Sequence, residues 1–81
     1  MKTGRHDYDI AFNGGNSSIP DEEPVFVIRG QDKAAPETLR AYAKLALNWG
    51  ASGELVGAVL IHADAMEAWQ MAHGGKTPTL P

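Results

Sequence analysis

The sequence predicts an α+β fold that is mostly α: a short β-strand, alone or in a loose hairpin, followed by an antiparallel two-helix hairpin that self-associates. Three observations predict it. An apolar run of Val25, Phe26, Val27 and Ile28 follows Pro24 and is rich in β-branched side chains. Two segments with helical spacing of apolar residues come next, parted only by Gly50, Ala51 and Ser52. An 81-residue chain without cysteine has no disulfide or thiolate metal site to supplement a small core, so association is the expected remedy.

Residues 1–23 form an amino-terminal segment. Tyr8, Ile10 and Phe12 alternate with Asp7, Asp9 and Ala11, the period-two pattern of a half-buried strand. Asn13, Gly14, Gly15, Asn16, Ser17 and Ser18 then make a loop cluster. The segment is either a strand paired with residues 25–28 through a long loop or a tail that orders against another subunit. Pro24 fixes its own φ and biases its neighbour towards extended geometry. A strand apolar on both sides needs cover on both faces, and one helical hairpin covers only one.

Residues 24–75 carry the strand and the helical hairpin. Gly30, Gln31, Asp32 and Lys33 turn the chain, Pro36 suits a first helical turn, and Glu37 favours the positive end of the helix dipole. From residue 35 to 49, Leu39, Tyr42, Ala43, Ala46 and Trp49 recur at spacings of three and four, opposite Glu37, Arg40, Lys44 and Asn48. Trp49 is expected in the core. Gly50 stands where a left-handed C-cap belongs.

Ser52 is a good N-cap for a second helix over residues 53–73, with a face of Leu55, Val59, His62, Met66, Trp69 and His73, widened by Val56, Leu60 and Ala63. So short a link makes the helices antiparallel neighbours. Gly74 and Gly75 end the second helix, and residues 76–81 form a proline-punctuated tail.

The net charge of −3 and pI near 5.4 argue against non-specific attraction to nucleic acid or anionic membrane. No apolar run is long enough to span a bilayer, and the amino terminus lacks a signal-peptide core, so a soluble, cytoplasmic protein is expected. Absence of cysteine fits a reducing compartment.

Catalytic and metal chemistry find little support. His62 and His73 are eleven residues apart, about 16 Å along a helix, so one helix cannot bring both to one metal. His62 is expected as a hydrogen-bonded residue of the core or of a subunit interface. The Gly14–Gly15 loop lacks the Lys-Ser/Thr ending of a phosphate-binding loop. Ser17, Ser18 and Ser52 are the only serines and suggest no relay. The expected protein is not an enzyme and has no cofactor, metal or catalytic residue.

Arg29, Lys33, Arg40 and Lys44 form a local basic stretch, opposed within it by Asp32 and Glu37. It is either a solvated helix face matched by an acidic second helix or an anion site. As a site, Arg29, Gln31 and Lys33 lie in the turn before a helix amino terminus, Arg40 adds a cation, and Tyr42 or Trp69 could stack on a base. Trp69 is otherwise a core residue or an interface anchor.

The stretch FVIRGQDKAAPETLRAYA over residues 26–43, with MEAWQ over 66–70 and KTPTLP over 76–81, resembles small accessory proteins of tailed phages and prophages. The resemblance carries no site residues. It implies a protein of the bacterial host cytoplasm that binds a host factor, a defence signal or a virion protein and seldom catalyses. The expected function is therefore a non-enzymatic accessory protein that forms a homo-oligomer and sequesters a ligand, such as a nucleotide signal of host defence, between subunits. The alternative is an interaction or virion-structural module that binds a host or phage protein.

Overall fold

The computed structural model describes residues 19–79. The expected strand over residues 8–12 and the loop over 13–18 lie outside the described residues. Arg29–Pro78 makes one compact unit, and it consists of two helices, α1 (Ala35–Asn48) and α2 (Gly53–His73), packed against each other.

Local chemistry sets each helix boundary. The chain turns at Asp32, whose amide donates to the Arg29 carbonyl at 3.0 Å. Asp32 Oδ1 accepts from the Ala34 amide at 2.7 Å, so this side chain satisfies a donor just ahead of α1 where Ala34 itself has no capping side chain. Pro36 sits in the first turn, where its missing N–H costs no hydrogen bond. At the far end, Ala51 donates to the Ala46 carbonyl at 2.9 Å and Gly50 donates to Leu47 at 3.0 Å, with Gly50 at φ 87°. That pair of bonds is the Schellman closure, and its left-handed residue is a glycine because only glycine adopts that conformation without steric cost.

Ser52 then caps α2: its Oγ accepts from the Leu55 amide at 3.1 Å. Gly74, at φ 85°, donates to the Gln70 carbonyl at 2.7 Å and ends the helix. Arg40 near the start of α1 meets Asp64 and Glu67 in the later part of α2, so the two helices run antiparallel.

The core differs from the expected one. Among the described residues its fully or nearly fully buried apolar side chains are Ala35, Pro36, Ala43 and Ala46 on α1 and Ala63 on α2, with Ala63 at 0% exposure. Leu39 of α1 and Val56, Val59, Met66 and Gln70 of α2 are half-buried around them. On α2 the inner positions 56, 59, 63, 66 and 70 step by three and four, which is the spacing of a helix–helix seam. Small side chains at the middle of that seam let two backbones approach closely.

The expected inward stripe of α2 is thereby narrowed and rotated: its Val56, Val59, Ala63 and Met66 face inward, whereas Leu55, His62, Trp69 and His73 are exposed and flank the seam. His62 is therefore no core residue of this hairpin. Trp49, expected in the core, is 89% exposed. It lies at the very end of α1, where the chain reverses, and α2 does not extend past that point to cover it.

Residues 24–29 form no regular element, so the expected strand over 25–28 is not seen. The β-pairing among the described residues is a single parallel bridge between Asp32 and Lys76. Lys33 donates to the Lys76 carbonyl at 3.0 Å and Lys76 donates to the Gln31 carbonyl at 2.7 Å. The first residue of the expected tail thus belongs to the helical unit.

Candidate binding surfaces

The six residues expected to bind a ligand fall into three places. Arg29, Gln31 and Lys33 lie together in the turn before α1, as their sequence order requires. The structure adds Lys76, whose backbone pairs on both sides with this turn. Among the described residues no carboxylate forms an ion pair with Arg29, Lys33 or Lys76. Asp32 is the acid within the turn, and one of its oxygens accepts from Ala34.

Gln70 holds this corner in place. Its Nε2 donates to the carbonyls of Gly30 at 3.0 Å and Asp32 at 2.7 Å. Both amide protons of one side chain are therefore used to fix the entering chain against α2. Gly75 closes the other side of the corner: a Cβ there would lie 2.8 Å from Gln70 Oε1 and 2.8 Å from Lys33 Cγ. Sequence spacing offered no sign of this arrangement, because Gln70 and its acceptors lie on different elements some forty positions apart.

Arg40 is elsewhere and already engaged. Its Nη2 donates to Asp64 Oδ1 at 2.8 Å and also to Glu67. Hydrogen bonding to Asp64 first, and to Glu67 second, raises its pKa above the ordinary arginine value, against a smaller opposing effect of desolvation. This is the solvated basic face matched by an acidic helix. A phosphate would have to compete with two carboxylates for the same guanidinium.

Tyr42 and Trp69 lie on the opposite flank of the hairpin from Arg40. Residues two apart on a helix point about 200° apart, which separates Tyr42 from Arg40. Trp69 stacks on His73 with ring centroids 4.4 Å apart and planes inclined by 21°. His73 Nδ1 is 3.1 Å from the Trp69 carbonyl oxygen, a contact that fixes the imidazole over the indole. Both rings remain partly exposed, Trp69 at 43%.

Among the described residues no group of three histidine, aspartate or glutamate side chains could hold a metal ion. Within the same residues no helix is long and apolar enough to cross a membrane. Comparison with protein-family models, with curated proteins and with solved structures finds no match.

Proposed function

We propose that the chain acts by binding rather than by catalysis, as a self-associating helical hairpin that presents a surface to a protein partner. One observation carries this reading. Among the described residues the buried apolar side chains are four alanines and Pro36, while Tyr42, Trp49, Ile61, Trp69 and Met71 stay exposed. Burying one methyl is worth about 0.8 kcal/mol, whereas a large aliphatic or aromatic side chain is worth about 1.5–3 kcal/mol. Much of the available hydrophobic free energy is thus not realised within the hairpin.

α2 makes the same point, since Leu55, Leu60, Ile61, Met66 and Met71 set apolar side chains all around it. A helix apolar on every side is stable when neighbours cover more than one of them. A role as an accessory protein, as in the phage proteins the sequence resembles, fits a module of this size whose working form is an assembly. Light scattering on the purified protein tests it: a mass above one chain at micromolar concentration is expected, and a monomer at every concentration would overturn it.

Lys76 favours a second reading, sequestration of an anionic ligand such as a nucleotide. With Arg40 held by two carboxylates, the cations best placed for a phosphate are Arg29, Lys33 and Lys76 beside the start of α1. Titration calorimetry against linear and cyclic nucleotides tests this reading, with Lys33→Gln and Lys76→Gln as controls. No heat from any nucleotide with intact protein would remove it.

A further inference from the structure

Helical phase sorts the side chains of the hairpin onto two faces. With about 100° per residue, Tyr42 lies about 100° and Trp49 about 120° to one side of Ala43. His62 lies about 100°, Trp69 about 120° and Leu55 about 80° to the same side of Ala63. A two-fold rotation relates antiparallel helices, so equal offsets fall on one face of the layer.

The ion pair verifies the rule independently. Arg40 is offset about 60° to the other side of Ala43, and Asp64 and Glu67 about 100° and 40° to the other side of Ala63. Those three side chains do meet. Glu37 and Lys44 share their face, and Glu54 points away from α1 at the back of α2. The face of Tyr42, Trp49, Leu55, His62 and Trp69 therefore carries no aspartate, glutamate, lysine or arginine from either helix.

We infer that a second copy of this chain docks on that uncharged face, layer against layer, with His62 near the two-fold axis. This deepens the self-association proposed above by naming its surface. Two chains of net charge −3 repel each other on average, and this is the face on which they meet without opposing like charges. α2 is about 31 Å long, α1 about 21 Å, and each about 10 Å wide. Together they offer about 500 Å² per copy in projection and about 1,000 Å² for the pair, the size at which interfaces become specific. Two stacked hairpins make a four-helix arrangement whose shared interior holds the aromatic side chains that α1 and α2 leave exposed.

His62 stands at the middle of α2, so the two-fold axis sets it close to the same residue of the second copy. On this face the other polar ring groups from the helices are Tyr42 on α1 and His73 further along α2, and the turn with Arg29, Asp32 and Lys33 reaches its edge where Gly30 lies beside Met66. Arg40, Lys44 and Glu37 of α1 and Asp64, Glu67 and Glu54 of α2 point elsewhere.

The test is the mass of the full chain by light scattering, for the natural protein, His62→Asp and Ile61→Asp. Ile61 is 70% exposed and points to the back of α2, so its variant carries the same new charge away from the proposed interface. Circular dichroism establishes that both variants keep their helices. The expected result is a dimer for the natural protein and for Ile61→Asp, and a monomer for His62→Asp. Dissociation of Ile61→Asp, or an intact His62→Asp dimer, overturns this face while leaving self-association standing. A natural protein that is monomeric throughout overturns both.

Discussion

Gln70 donates from Nε2 to the Asp32 carbonyl at 2.7 Å, so the last turns of α2 hold the chain as it enters α1. The same nitrogen reaches the Gly30 carbonyl at 3.0 Å. One side chain thus closes the open end of the hairpin, opposite the Gly50 reversal. Gln70→Leu keeps the bulk and removes both donors, so the Gly30 carbonyl loses its side-chain donor and the Asp32 carbonyl keeps only the Ala35 amide at 2.9 Å. At about 1 kcal/mol per hydrogen bond, a loss of about 2 kcal/mol is expected. Urea unfolding would measure it, and hydrogen exchange at the Lys33 and Lys76 amides should speed up alongside. Unchanged stability would mean that the clasp contributes little.

Two glycines should respond in opposite directions to alanine. At Gly75 the new methyl would meet Gln70 Oε1 and Lys33 Cγ at 2.8 Å, so the corner must open and stability should fall by about 1–2 kcal/mol. At Gly57, inside α2, the methyl meets nothing within 4 Å. Alanine there restricts the unfolded chain and favours the helix, a gain of about 0.5–1 kcal/mol. Thermal unfolding of the two variants would show melting temperatures on opposite sides of the parent.

The helices and their ends were legible in the sequence, because Pro36, Gly50, Ser52 and Gly74 each act through local backbone chemistry. The buried face was legible in part on both helices: Leu39, Ala43 and Ala46 of α1 and Val56, Val59, Ala63 and Met66 of α2 do point inward, whereas Tyr42, Trp49, Leu55, His62, Trp69 and His73 do not. On α2 nearly every side is apolar, so hydropathy could not choose among them, and the choice fell to packing. Close packing takes the smallest side chain, Ala63, which moves Trp69 and His62 outward. The site was legible in part: Arg29 and Lys33 lie where sequence order puts them. Lys76 joins them through a long-range pairing that leaves no local signal. Arg40 found its acids because both helices carry their charge on one flank.

The small-residue seam predicts a sharp size limit. Ala63 is 0% exposed between the helices. Ala63→Leu must push the backbones apart or leave its rotamer minimum, at a cost of about 1–3 kcal/mol. Ala65→Leu, on an exposed position of the same helix, should leave the unfolding free energy nearly unchanged. Equal effects from the two would show that the seam has room.

The Arg40 cluster should respond to salt rather than to alkali. Its pKa is raised because the charged guanidinium donates to Asp64 and then to Glu67. A raised value stabilises the fold fully below the unfolded value and is lost only as pH rises through the folded one, above any pH at which this hairpin would be studied. No alkaline loss traceable to Arg40 is therefore expected near neutrality. The cluster is solvent-exposed, so its charges are screened as the Debye length shrinks from about 10 Å at 0.1 M salt to about 3 Å at 1 M. A double-mutant cycle of Arg40→Gln with Asp64→Asn, run by urea unfolding at both salt concentrations, should give a small favourable coupling at low salt that fades at high salt. A coupling that persists unscreened at 1 M would mean that water is excluded from the pair in the working form of the protein. The docked layer described above does not predict that outcome, since it leaves the Arg40 face open to solvent.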